Sequence, residues 1–442
     1  MSGNKGIFFS DRKNLNKSSF GKLFRYLDNN SIPYLMDDDS TAFKYSSGDY
    51  KHLKLSKEFI SKHNQYMAYS RDDLLNVTHY GINLFDIYRS EALSYYLKMK
   101  SFRELLQGNT SRVSVFNAFF ESDKDNLVMC ICISAFWLDY WIARLNVISK
   151  YKYVGIFSGA QIFNMALIEV SKRSQITPLL MESFFTGNEF YLEEKYEPLP
   201  NNTNLKFDNI YNNISIVDYD RLLKDASVKI ANKRNKNNTE GQDRYIPQDN
   251  AGKCTITIIA QVVNDFSIIL TTGSYLNSVV FYKQLIDCLL QNKNNYVILK
   301  THPWEIKKNK SRITHNEIVQ HVLTKPYSDR SRFEIIESWD VDELCNHSDY
   351  IITLCSQAGI ECAIRGKKII QFGDAFYGNK GFTHDYTDLK SFMDDFSANR
   401  VSSVLNSEEV NKINEFLIKM ISHHLVSNLD ADERMLACYF KL

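Results

Sequence analysis

Residues Ile256 to Pro303 read ITIIAQVVNDFSIILTTGSYLNSVVFYKQLIDCLLQNKNNYVILKTHP. The run opens with an apolar strand that delivers Asp265 just past its end. A helix follows, and a second strand delivers Lys300, His302 and Pro303. In an open α/β sheet, ligands bind beyond the carboxyl ends of the strands. An acid at one such end and a Lys-Thr-His-Pro at the next therefore face a common crevice. The pattern implies chemistry on a phosphorylated donor, with a carboxylate close to the reacting carbon.

Downstream the alternation continues. Thr255–Val263, Tyr296–Thr301, Phe333–Glu337, Tyr350–Leu354 and Lys368–Phe372 read as strands with helices between them, which predicts a parallel, doubly wound sheet. Upstream, Ala231 to Lys253 is almost devoid of large apolar residues and reads as a polar linker. Before it, Gly6–Ser10 and Val113–Phe120 read as short strands and Leu127–Ser149 as a helix. Tyr153–Phe157, Ile162–Lys172 and Pro178–Met181 then form strand, helix and strand, ending at Glu182, a βαβ unit. The Tyr-, Leu- and Lys-rich segment before Val113 reads as mostly helical, with no role to assign. The expected organisation is an N-terminal Rossmann-like domain over 1–232, a linker over 233–253, a second Rossmann-like domain over 254–405 and a helical tail over 406–442. Two such α/β domains facing a central cleft are the GT-B arrangement.

The composition of the 442 residues is ordinary for a globular chain, with 44% hydrophobic and 24% charged residues. Lys and Arg total 53 against 52 for Asp and Glu, so no global field draws nucleic acid or an anionic membrane. The basic runs Lys229–Lys236 and Lys307–Arg312 read as solvated faces. The eight cysteines show no CxxC, and free buried thiols in a reducing compartment are expected. The N-terminus lacks the apolar core of a signal peptide. Leu127–Ile148 is apolar but carries Asp139 and Arg144, so it reads as a buried helix. A cytoplasmic protein is expected, and peripheral attachment at the inner membrane stays open.

Several residues could carry chemistry. Lys300 and His302 alternate onto one side of an extended chain, where they could meet a phosphate; His-Pro alone reads more readily as a satisfied loop histidine. Leu354 to Glu361 follows another apolar strand. Ser356, Gln357 and the backbone near Gly359 would open a helix whose free N–H groups suit an anion, and Glu361 one turn in could reach a ribose hydroxyl. The same residues also fit a capped helix. Asp265, after Gln261, can be an N-cap. Glu182, framed by Met181 and Phe184, suits a general acid with a raised pKa or a loop carboxylate. Asp218-Tyr219-Asp220, Asp340-Val341-Asp342 and Asp37-Asp38-Asp39 are short acidic patterns that arise by chance, and no metal site is expected. Tyr151, Tyr153, Phe184, Phe185, Phe190 and Tyr191 could stack on sugar rings or form core.

Four blocks together resemble the bacterial capsule-polysaccharide synthesis family, which includes retaining β-Kdo transferases of capsule and O-antigen assembly. They are the MESFF segment with EFYLEEKYEPLPNNTN, then AQVVNDFSI, LKTHPWE and SDYIITLCSQAGIECAIRGKKIIQFGDAFYGNKGFTHD, spanning roughly Tyr153 to Asp388. The resemblance implies a GT-B fold and a CMP-linked donor, CMP-β-Kdo. It places Asp265 as nucleophile and Glu182 as general acid/base. Lys300 and His302 fall on one phosphate-contacting block, and Ser356 with Gln357 on a second; Gln261, Gly359 and Glu361 complete the expected donor site. Tyr377 and Gly381 match a trailing Tyr-and-Gly segment. Lys368 stands where many members carry proline, and Gln357 where a hydroxyl residue is more usual. The implied acceptor is a glycan or lipid-linked glycan, with no metal or other cofactor. Rival readings are a CMP-sialic acid or other nucleotide-sugar transferase with Asp265 as base, a nucleotide-sugar hydrolase or epimerase, and a non-catalytic capsule-assembly subunit.

Overall fold

The computed structural model describes residues 5–37, 56–106, 110–207, 218–231, 252–270, 275–337 and 339–440. Most of the expected linker 233–253, Asp38 and Asp39 of the acidic triplet, and the end of the first basic run lie outside them.

The described chain builds two six-stranded sheets and a small hairpin of β3 (Thr78–His79) and β4 (Ile82–Asn83). The first sheet takes β1 (Ile7–Phe9), β2 (Tyr34–Met36), β5 (Tyr153–Phe157), β6 (Thr177–Ser183), β7 (Glu189–Glu194) and β14 (Val426–Ser427) in the order β14-β7-β6-β5-β1-β2. The strands from β2 to β6 run parallel, while β7 and β14 are antiparallel additions. The second sheet takes β8 (Cys254–Ile259), β9 (Asn295–Lys300), β10 (Phe333–Ile336), β11 (Tyr350–Thr353), β12 (Ile369–Gln371) and β13 (Thr383–Asp385). Its order, β10-β9-β8-β11-β12-β13, is all parallel and is the doubly wound order with its reversal between β8 and β11. Strands β8 and β9 are buried on both faces, which is why they read as nearly continuous apolar runs. The fold is α/β and GT-B-like: two Rossmann-like sheets flank a central cleft.

The structure departs from the sequence reading in four places. Val113–Phe120 is not a strand but part of the helix Arg112–Ser122, started by Ser111 accepting from the Ser114 amide. A short apolar run has no period that separates the two, and here a capping serine decides. The tail is not wholly helical. After the helix Ser407–Ile418 and a π-helical turn at Lys419–His424, β14 pairs with β7, so the chain end closes the first sheet. Three strands are not read from the sequence: β2 and β13 are three-residue edge strands, and β7 lies between β6 and β14. Finally, the cysteines are not all free: Cys345 and Cys362 form a disulfide, with their Cα atoms 5.8 Å apart. The helices Val341–Asn346 and Ala358–Ile364 pack side by side and bring the two together.

The helix Lys124–Ala143 is long and apolar enough to cross a membrane by length and composition. It packs against the helices Lys57–Met67, Leu84–Tyr96 and Ile162–Arg173, with Trp137 and Trp141 fully buried. Asp139 sits where the helix surfaces, bonded to His79, Tyr80 and Lys62.

Candidate active site

The cleft of about 390 Å³ lies at the carboxyl edges of both sheets. From the first sheet come Glu182, Ser183, Phe184 and Phe185. From the second come Gln261 and Asp265 after β8, Lys300 and His302 after β9, Asp340 after β10, and Ser356, Gln357 and Glu361 after β11. Every expected site residue lines it except Gly359. Of the six aromatics considered for stacking, Phe184 and Phe185 line the cleft. Tyr153, Phe190 and Tyr191 are core.

Asp265 ends the turn after β8. Its Oδ1 accepts from the Ser267 amide at 2.9 Å, capping the short helix Phe266–Ile269, and its Oδ2 lies 3.5 Å from Gln261 Nε2. The N-cap and cleft readings of this acid therefore both hold: Oδ1 caps the helix, and the residue lines the cleft. Gln261 is 4% exposed and is a brace more than a ligand-facing group. Its Oε1 accepts from the Cys355 amide at 2.9 Å, tying β8 to β11 across the reversal point, and its own amide donates to Tyr282 Oη at 3.0 Å.

Lys300 is 5% exposed, with Nζ 3.4 Å from the Glu337 carbonyl. Burial pulls its pKa from 10.5 to about 8, against the opposing pull of Asp340, Glu337 and Glu361. It is charged at neutral pH and poorly hydrated, which suits it to meet an anion. His302 Nδ1 accepts from the Trp304 amide at 3.1 Å, so the neutral ring carries its proton on Nε2. Burial, partly offset by Asp265, pushes its pKa to about 4. His302 is thus a neutral donor at physiological pH.

The turn after β11 differs from expectation. The helix Ala358–Ile364 has only seven residues, and its first amides are engaged. Cys355 donates to Gln261, Ser356 to Thr353 Oγ1, Ala358 to Ser356 Oγ, Gly359 to the Ser356 carbonyl and Ile360 to the Gln357 carbonyl. Lys300 and His302 are the donor side chains this sheet brings to the cleft, and the Ser356-Gln357 turn lines its wall. Gly359 is a packing residue: a Cβ there would sit 2.2 Å from Tyr377 Oη. Tyr377 is fully buried and donates to the Ser356 carbonyl at 2.7 Å, which gives the trailing Tyr its role as a strut under this turn.

Glu182 lies half-buried in β6, opposite Tyr191 of β7 in the antiparallel register. The acids of Asp340-Val341-Asp342 diverge. Asp340 lines the cleft and caps Val341–Asn346 by accepting from the Asp342 amide at 2.6 Å, while Asp342 pairs with Arg365. Among the described residues, no three His, Cys, Asp or Glu side chains come together as a metal site.

Two residues escaped the sequence reading. Lys308 donates from Nζ to the Asn264 carbonyl at 2.8 Å and packs over the Phe266 ring, beside Asp265. It sits six residues after His302, in a basic run that resembles any solvated face. Asn264, next to Asp265, is 1% exposed, and only the fold shows why.

A family profile described as capsule polysaccharide biosynthesis protein matches residues 179–409, more than half of the chain. The chain belongs to that family. The matched span runs from β6 to the helix Ser407–Ile418 and holds every cleft residue named above. The capsule polysaccharide modification protein LipA of Neisseria meningitidis serogroup B is 27% identical over 170 residues, 38% of this chain and 22% of LipA. The serogroup A protein gives the same figures. The match thus spans about a fifth of those relatives' length. Among solved structures, the β-Kdo 2,4 transferase of Thermosulfurimonas dismutans KpsC aligns with a TM-score of 0.42 and 18% identity, over 61% of this chain and 88% of that one. The β-Kdo 2,7 transferase of the same protein aligns with a TM-score of 0.39 and 15% identity, over 66% and 86%.

Proposed function

We propose that this chain transfers Kdo from CMP-β-Kdo to a hydroxyl of a bacterial surface glycan, of capsule or O-antigen, with retention. The observation that carries this reading is one cleft lined by acids from both sheets, Glu182 on one side and Asp265 on the other, with Lys300 and His302 beside Asp265. Family membership and the four sequence blocks support the donor class.

In the first step Asp265 attacks the anomeric carbon of Kdo. The bond from that carbon to the phosphate oxygen breaks, and CMP leaves with the electron pair. Lys300 and the Nε2–H of His302 meet the charge growing on the phosphate. The oxygen of Asp265 held by Ser267 fixes the carboxylate, so little reorganisation precedes attack. In the second step the acceptor hydroxyl attacks the same carbon from the face CMP vacated. Glu182 takes its proton and Asp265 is released. Two inversions retain configuration. The reaction is read as metal-independent, because protein groups hold the phosphate, and a chelator should leave the rate unchanged. A cytoplasmic setting with peripheral inner-membrane contact belongs to the same proposal.

The test is CMP release from CMP-Kdo, with and without a galactose- or Kdo-terminated acceptor, with intact-protein mass recorded. A mass increase of one Kdo unit that Asp265→Asn abolishes supports the covalent route. Turnover of CMP-sialic acid or a UDP-sugar in place of CMP-Kdo sinks the donor assignment.

A further inference from the structure

The helical segment before residue 113, to which the sequence assigned no role, docks on the second sheet's domain beside Asp265. Asn264 lies at that contact. Its Nδ2 donates to the Ser94 carbonyl at 2.8 Å and lies 3.4 Å from Ser94 Oγ, at the C-terminal end of the helix Leu84–Tyr96. The acceptor is a carbonyl, so the side-chain atom facing it is the amide nitrogen and the orientation is fixed. The Asn264 carbonyl accepts from Lys308 Nζ at 2.8 Å. Its Oδ1 is buried and has no hydrogen-bond partner, an arrangement that proteins seldom keep without a reason.

A second tie joins the same two parts farther along. Asn277 Nδ2 donates to the Arg103 carbonyl at 3.0 Å, and the buried Arg103 pairs with Glu317. Asn277 does not line the cleft, whereas Asn264 is the residue before Asp265.

We propose that Asn264 is a positioning residue. It carries the placement of the first domain, through Ser94, onto the backbone of Asp265, and so sets the nucleophile relative to Glu182 on the opposite wall. This rests on the reading of Asp265 and Glu182 given above. Because the two acids belong to different sheets, their separation depends on how the domains seat. A tie one residue from Asp265 converts that seating into the geometry of the attacking oxygen. Misplacement of about 1 Å costs on the order of 10²-fold in rate.

The test compares Asn264→Ala with Asn277→Asp in the full chain. The second variant keeps an oxygen to cap Ser278–Leu290, as Asn277 does toward the Val280 amide, and replaces the donor to Arg103 by a carboxylate oxygen that the carbonyl repels, so this tie is broken outright. Asn264→Ala should lower kcat for CMP release by about 30- to 100-fold, with KM for CMP-Kdo within about twofold and slower growth of the covalent adduct. Asn277→Asp should leave kcat within about twofold. Hydrogen exchange supplies a readout independent of substrate: amides of Phe266–Ile269 should exchange faster in Asn264→Ala and unchanged in Asn277→Asp. Unchanged kcat and exchange in Asn264→Ala, or an equal loss in both variants, would overturn the proposal. If wild type fails to turn over CMP-Kdo, the functional reading falls alone, and the exchange comparison still decides whether Asn264 holds the Asp265 turn.

Discussion

The two walls of the cleft are built differently. The wall from the second sheet is a braced, polar edge. Gln261 bridges β8 to β11, Tyr377 props the Ser356 turn, Ser267 anchors Asp265 and Trp304 sets the His302 tautomer. The wall from the first sheet offers Glu182 and Ser183 beside the rings of Phe184 and Phe185. Groups that must meet a charge as it develops need fixed dipoles, and the braced wall has them. A wall of one acid and the part-exposed ring of Phe185, backed by the buried Phe184, suits a partner recognised by shape and apolar faces, as a sugar ring is. In the proposed reaction the leaving group would meet the second sheet's wall and the acceptor the first.

The largest effect should come from the braced wall. Asp265→Asn should cut CMP release by on the order of 10³-fold or more, with no adduct by intact mass, since an amide is a poor nucleophile. An Asp265→Asn enzyme of near-normal rate would undo the division of labour. Glu182→Gln comes next. Loss of a proton acceptor should slow glycan formation by about 10²–10⁴-fold, while adduct formation survives. Loss of the adduct as well would place Glu182 in the first step.

Lys300→Met should lower kcat/KM by about 10²-fold, the scale of removing one charge-stabilising donor. The pH profile sharpens this. Lys300 loses its proton near pH 8 in the free enzyme, so wild-type kcat/KM should fall as pH rises through about 8, and the variant should lack that limb. His302 stays neutral down to about pH 4, so no acid limb near 6.5 should come from it. Its effect on stability has a defined sign. Between about pH 6.5 and 4 the unfolded chain takes up a proton at His302 that the folded one refuses, so stability should drop as pH falls through that window. Thermal unfolding of wild type against His302→Gln checks it.

The smallest effect belongs to the strut. Tyr377→Phe removes a buried hydrogen bond to Ser356 and should cost about 0.5–1.5 kcal/mol in denaturant unfolding, leaving the Ser356 carbonyl without this partner. A Tyr377→Phe protein of unchanged stability and KM would show that the β11 turn holds itself.

Much of this was legible in the chain. The apolar runs of β8, β9 and β11 are long, buried on both faces and closed by polar residues, so period and punctuation agreed and the cleft residues at their ends could be named. The Val113–Phe120 run failed because eight mixed apolar residues fit helix and strand alike. The tail is helical at Ser407–Ile418, Lys419–His424 and Arg434–Tyr439 as read, and β14 between them escaped because it is two residues long and exists only where β7 offers an open edge. At Gly359 the sequence left a phosphate site and a packing glycine both open, because a glycine near a helix start looks the same whether it admits a phosphate or a tyrosine ring; here it packs on Tyr377.

By itself the sequence determined the strand–helix order from β8 to β12, the doubly wound second sheet and which acids and bases emerge at strand ends, because these follow from local hydrophobic period and chain direction. Only the tertiary structure decided that Glu182 and Asp265 share one cleft, that the amides of Cys355, Ser356, Ala358, Gly359 and Ile360 are engaged within the protein, that Lys300 is buried enough to titrate near 8, and that Asn264 ties Asp265 to the other domain. Those facts depend on desolvation and on contacts across the fold, such as Asn264 with Ser94, 170 positions apart, and Cys355 with Gln261, 94 apart, and no local pattern records either.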